Sequence, residues 1–172
     1  MTARAVRPRR SRDREVVRAS LLRVPMFMLA VAVATAGEIA SAAEISPAIV
    51  AFRVVADGIP QPLAAGPGDI ARGRALIVAR EAANCVLCHA VPDASVRFAG
   101  DLAPSLAGIG GRLTVSQLRL RVADNLRVHP ATIMPSYYKI DDLDRVAPAY
   151  RGRPILSAVE VEDVVAYLAT LR

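Results

Sequence analysis

The chain has 172 residues, and 22 Lys and Arg against 16 Asp and Glu give it a formal net charge of +6. Eight of those arginines fall in the first 23 residues, and beyond residue 42 the balance is 14 basic to 13 acidic. The charge therefore supplies no basic face for nucleic acid, and the length allows one domain rather than several.

Taken in chain order, the arginines from Arg4 to Arg23 precede an apolar run, Val24 to Ala36, and then small residues at Ala40-Ser41-Ala42. That order is a secretory signal peptide. A run of 13 residues is short of the roughly 20 that span a bilayer, which argues against a retained anchor. Residues 1–42 are thus expected to be removed, near Ala42 or Ala43, with the mature chain periplasmic. Arg9-Arg10 has poor flanks for the twin-arginine route, so general secretion is expected.

Residues 43–67 hold Pro47, Pro60, Pro62, Pro67, Gly58 and Gly66 and read as an extended lead-in with turns. Residues 68–172 form the functional domain. Asp69 caps a helix predicted to run to about Ala83. Ala90 to Gly111 reads as loop. Thr114 and Gln117 make a capping box for a helix to about Leu126, with Leu118, Val122 and Leu126 at spacing four. Val128 to Pro154 is irregular. Ser157 and Glu160 make a second capping box, and Val161, Val164, Val165, Leu168 and Leu171 form one apolar stripe to the C-terminus. With no convincing strand signal, the predicted class is all-α with long loops.

The chemistry lies in Cys85-Val86-Leu87-Cys88-His89, the C-x-x-C-H pattern of c-type haem attachment. Two thiols one helical turn apart can each add to a vinyl group of one porphyrin, and the adjacent imidazole can bind its iron. These are the only cysteines, so one covalent haem c is expected. The sixth ligand comes from a short inventory. After residue 42 there is one methionine, Met134, and one other histidine, His129. Met134 precedes Pro135, which holds it extended in a braced loop; it is the favoured ligand, with His129 the alternative and a gap-filling core methionine the structural reading. Pro104 either offers its carbonyl to the second nitrogen of His89 or is a simple loop proline. Arginines are dense after the motif, from Arg112 to Arg153. Most are expected to be solvated, with a subset pairing haem propionates or facing an acidic partner, and the sequence singles out none.

Two other readings of the cysteine pair are weaker. A thiol–disulfide site belongs in a βαβ setting, which is missing. A structural zinc site would need Cys85, Cys88, His89 and His129, and adjacent Cys88 and His89 suit a tetrahedral ion badly.

Several ordered segments resemble SoxX, the small monohaem cytochromes of the periplasmic SoxAX complexes of sulfur oxidation, within the class I cytochrome c outline. They are Ile59 to Leu63, Pro67 to Asp69, Arg72 to Ala75, Asn84 to His89, Ala103 to Gly108, Gln117 to Arg121, Met134 to Tyr138, and Val164 to Leu168. The stretch Arg145 to Pro154 is the most specific, an insertion that ordinary small cytochromes lack. The resemblance spans about residues 54–172. It implies a class I cytochrome c-like fold, with Cys85 and Cys88 as thioether sites and His89 and Met134 as axial ligands to haem iron. It also implies a larger SoxA-like cytochrome subunit as partner, a SoxYZ-like carrier reached through the complex, and a downstream electron acceptor. In that setting the chain is a non-catalytic electron-accepting subunit of an L-cysteine S-thiosulfotransferase, with no catalytic residue of its own. A free-standing periplasmic electron shuttle is the alternative, and ligand activation at an open haem a third.

Overall fold

The computed structural model describes residues 49–172. The export segment at 1–42 and residues 43–48 of the lead-in lie outside the described residues. Among the described residues there are four α-helices, α1 (Ile70–Val78), α2 (Ile109–Arg112), α3 (Val115–Asp124) and α4 (Ala158–Thr170). Single 3-10 turns stand at Cys85–Leu87, Asn125–Arg127 and Pro148–Tyr150, and no strand is formed. The all-α expectation holds.

The predicted caps form. The Asp69 carboxylate accepts the Arg72 N–H at 2.9 Å, and both capping boxes close reciprocally, Thr114 with Gln117 and Ser157 with Glu160. The first helix ends earlier than its alanine-rich sequence suggests, because Ala79 is already extended. Ala83 instead turns inward, fully buried, and its carbonyl accepts the Tyr137 hydroxyl. A tertiary bond here overrides local propensity. The reverse occurs at α2, expected as loop. Its Ile-Gly-Gly-Arg sequence is a poor helix former, but the Gly110 N–H donates to the Leu171 carbonyl at 2.8 Å. A Cβ at Gly110 would strike the Ala169 carbonyl, so the glycine is there for close approach to α4.

The core lies between α1, α3 and α4. Ile77, Leu120, Val161, Val164 and Val165 are buried, with Ile59 and Leu63 from the lead-in beside them. The described part of the lead-in, from Ile49 onward, is therefore part of the packed domain. Val161, Val164, Val165 and Leu168 of the predicted stripe are buried, while Leu171 lies just past the end of α4 and is half-buried. The tight crossing of α1 over α4 requires Gly73, where any Cβ would collide with the Asp163 carbonyl.

Two carboxylates that the hydrophobic pattern did not mark are buried on α4, Glu162 and Asp163. Glu162 accepts Arg119 Nε at 2.7 Å and Nη2 at 2.9 Å, and also the Leu63 N–H at 2.8 Å. Arg119 Nη1 continues to the Ile59 carbonyl at 2.7 Å. Asp163 accepts the Asp69 N–H at 2.6 Å and Arg72 Nε at 2.7 Å. Among the described residues, no buried side-chain polar atom lacks a partner, which is what makes such burial tolerable.

Breaking one half of a buried ion pair leaves an uncompensated charge. Arg119→Ala is expected to cost about 3–5 kcal/mol in guanidinium unfolding, while Arg119→Met combined with Glu162→Leu recovers part of that loss, since the Leu63 N–H and the Ile59 carbonyl lose their partners. Burial alone would raise the pKa of Asp163, but its bonds from Arg72 and the Asp69 N–H outweigh this and hold it below the ordinary carboxylate value. A depressed folded-state pKa stabilises above the unfolded value of about 4 and is lost as pH falls through the folded one. The stability gap between the native chain and Asp163→Asn is thus expected to be full at pH 7 and to narrow as the pH is lowered from 5 towards 3.

Candidate haem site

Asn84, in the left-handed region at φ 58°, turns the chain out of the Ala79–Ala83 segment into the Cys85–Leu87 turn. The Cys88 and His89 N–H groups both return to the Cys85 carbonyl, at 3.2 and 2.9 Å. This curls both thiols and the imidazole to one side, and all three line a single cavity. The following loop is laced back along the motif. The Gly100 N–H reaches the Val86 carbonyl at 2.8 Å and the Ala103 N–H reaches that of Cys88 at 3.0 Å. A Cβ at Gly100 would meet the Leu87 carbonyl, so this close path admits glycine alone.

The lacing decides the role of Pro104. Its carbonyl lies 2.6 Å from His89 Nδ1. A carbonyl only accepts, so Nδ1 is the donor, and in the neutral imidazole Nε2 is then the nitrogen with the lone pair. An imidazole held this way is oriented as a ligand with its outer nitrogen already satisfied.

The cavity holds about 560 Å³, within the usual range of about 300–1,000 Å³ for cofactor sites. Its walls are mostly aliphatic, including Leu106, Ile109, Leu113, Leu118 and Leu168. Met134 reaches it from the loop after α3 and also packs against the core. The Thr132 hydroxyl accepts the Met134 N–H at 3.1 Å and the Asn125 amide at 2.9 Å, tying that loop to the end of α3. The loop is further sewn to α3 by the Tyr138 N–H on the Ala123 carbonyl at 3.0 Å. His129 also lines the cavity but is exposed, at its margin. The structure thus brings Cys85, Cys88, His89 and Met134 to one space; His129, held by its N–H on the Asn125 carbonyl at 2.8 Å, lines the same space but is more exposed than Met134.

The alternatives for the cysteines lose ground on the same geometry. Burial pushes the Cys85 thiol up to about 11, whereas redox-active thiols are lowered to about 3.5–7.5. Among the described residues no three or more His, Cys, Asp or Glu side chains are gathered as for a metal ion. An apolar cavity with two free thiols to join a porphyrin edge, and one imidazole and one thioether to bind iron, suits a covalently held haem.

Sequence reasoning missed the Thr132–Asn125 brace and the Tyr137–Ala83 bond. It also missed that one face of α3 walls the cavity, although Leu118, Arg121, Val122 and Asn125 carry the helical spacing that would have shown it.

The fold and this site define a cytochrome, and residues 70–172 match the cytochrome c family model. The chain belongs to the cytochrome c family. Within it the chain is SoxX-like, being similar to a chain of the crystal structure of SoxXA from P. pantotrophus with 35% identity and a TM-score of 0.65, over 70% of this chain and 93% of that one. No curated protein matches the sequence significantly. A haem c electron-transfer protein follows from the family, and the class I cytochrome c-like fold is the one expected.

The Tyr137 hydroxyl donates to the buried Ala83 carbonyl at the root of the Cys turn, and burial raises its phenol pKa. Tyr137→Phe leaves that carbonyl only the weak Cys85 thiol as a donor and is expected to lower stability by about 1–2 kcal/mol, read as a shifted midpoint in chemical unfolding.

Proposed function

We propose that this chain is the electron-accepting monohaem subunit of a periplasmic SoxAX-type complex that joins thiosulfate to a cysteine of a carrier protein. The observation that carries the reading is the convergence of Cys85, Cys88, His89 and Met134 on one apolar cavity, with His89 Nδ1 already bonded to Pro104. In this reading Cys85 and Cys88 would hold one haem through two thioethers, and His89 Nε2 and Met134 Sδ would bind its iron.

When bound, the haem supplies reversible one-electron chemistry at iron. The chain's own residues set its terms. The Pro104 carbonyl orients His89 and strengthens it as a donor. Met134 favours the reduced state and raises the potential, and the Thr132 brace limits the freedom of its loop. Leucine side chains exclude water from the centre. Both thiols are committed to attachment, so the sulfur chemistry is assigned to a larger SoxA-like subunit, a SoxYZ-like carrier brings the acceptor cysteine, and electrons leave to a further acceptor.

Support for a lasting partner comes from the similarity to a chain of SoxXA and from the 145–154 insertion. Arg145, Tyr150, Arg151 and Arg153 are exposed there, outside the cavity wall. A free shuttle needs only a small contact at its haem edge. Residues 1–42, with their basic and apolar order, support export.

Met134→Ala is expected to change the haem absorption spectrum and to let the ferrous protein bind carbon monoxide readily, with His129→Ala unchanged in both. A native-like spectrum for Met134→Ala would remove the Met134 assignment. Affinity purification of the tagged chain from its host is expected to bring a second haem protein with it; a monomer acting as a generic electron donor would replace the complex with the shuttle.

A further inference from the structure

Two hydroxyl groups flank Met134 along the chain, Thr132 two residues before it and Ser136 two residues after. Both are bonded to the end of α3, on neighbouring residues. The Asn125 amide donates to the Thr132 hydroxyl at 2.9 Å, and the Ser136 hydroxyl donates to Asp124 Oδ1 at 2.7 Å. Met134 and Pro135 therefore ride on a short loop pinned on both sides by one helix end.

The two pins differ in kind. The Thr132 pin joins neutral groups that are half-buried. The other ends on a carboxylate, with Asp124 only 3% and Ser136 only 5% exposed. A carboxylate is poorly placed at that spot. Burial strips its water, and the C-terminal end of a helix presents carbonyl dipoles that oppose a negative charge. The cation beside it, Arg127 with Nε at 3.2 Å from Oδ2, belongs to a side chain that is 59% exposed. Ser136 is its buried partner, and an O–H bond to a carboxylate at this length is of the stronger, charge-assisted kind. Backbone bonds do not replace it. Downstream of Met134 they start only at Tyr137, whose N–H reaches the Val122 carbonyl at 3.3 Å. Neither Asp124 nor Ser136 lines the cavity, so the pair acts on the site only through the Met134 loop.

We infer that Asp124 is a positioning residue for the Met134 thioether, holding it through Ser136 against displacement from the haem iron. The inference rests on the reading of Met134 as the sixth ligand. Apolar packing alone leaves such a loop free to swing. A directional bond two residues from the sulfur removes that freedom before the ligand is engaged.

Added imidazole competes with a thioether for ferric iron, so its affinity for the holoprotein reads how firmly the sulfur is held. Ser136→Ala is expected to raise that affinity about tenfold, the worth of one such bond, and to weaken the far-red sulfur-to-iron absorption band. Asp124→Asn keeps an acceptor but drops the charge, and is expected to raise the affinity by a smaller factor. The double variant is expected to go no further than Ser136→Ala, because both changes act on the same bond. Arg127→Gln takes the carboxylate's other partner and spares the loop, and is expected to leave imidazole binding native. If Asp124 only secures the end of α3, the variants will unfold at lower denaturant while imidazole affinity stays native, or Arg127→Gln will shift it as much as Ser136→Ala; either result overturns the inference. Should Ser136→Ala fail to load haem, Asp124→Asn decides: raised affinity supports the inference, and native affinity overturns it. An unchanged spectrum in Met134→Ala defeats the sixth-ligand reading instead, which tells the two failures apart.

Discussion

Glu162 and Asp163 stand side by side on the last helix, and each grips a different part of the chain from inside. Glu162 holds Arg119 of α3 and the backbone at Leu63, while Asp163 holds Arg72 and the start of α1. Hydrophobic contact between helices sets no unique rotation about their axes. Directional bonds to buried carboxylates do, since any slip would leave a charge without a partner. The crossing at Gly73 then brings the backbones so close that the arrangement has no room to drift. From this clamp the wall of the cavity follows, because α3 and α4 contribute Leu118, Val122 and Leu168 to it in fixed relation.

The ligand side is built by a different device. Few of its residues are in regular structure. Backbone bonds from Gly100, Ala103 and Leu106 stitch one loop to the cysteine turn, and the Thr132 hydroxyl stitches the other to α3. His89 and Met134 thus sit on irregular chain that has been made stiff, against a scaffold of packed helices. Functional groups on loops positioned by a rigid frame are a general solution, and here the bonds that provide the stiffness can be named one by one.

Much of this was legible in the sequence. Asp69, Thr114 and Ser157 announced their helices because capping is local chemistry, and Cys85 to His89 announced the cofactor because attachment demands that spacing. Met134 was the favoured sixth ligand by elimination, with His129 the alternative, and the structure places both on the cavity lining. What stayed hidden depends on residues distant in the chain. The burial of Glu162 and Asp163 looks from their neighbours like a polar interruption of an apolar stripe. The helix at Ile109–Arg112 contradicts its own glycines and exists because Gly110 can lie against the end of α4. The shortened α1 likewise answers to Tyr137, more than 50 positions away.

The clamp joins residues 94 and 99 positions apart, and it imposes an order in time. Contacts of such long range form late, after the intervening chain has been gathered. A chain emerging from its N-terminus presents Cys85, Cys88 and His89 long before α4 is made, so the segment that haem attachment would alter is exposed first and enclosed last. Placing the closing carboxylates in the final helix keeps the workpiece open until the work on it can be finished.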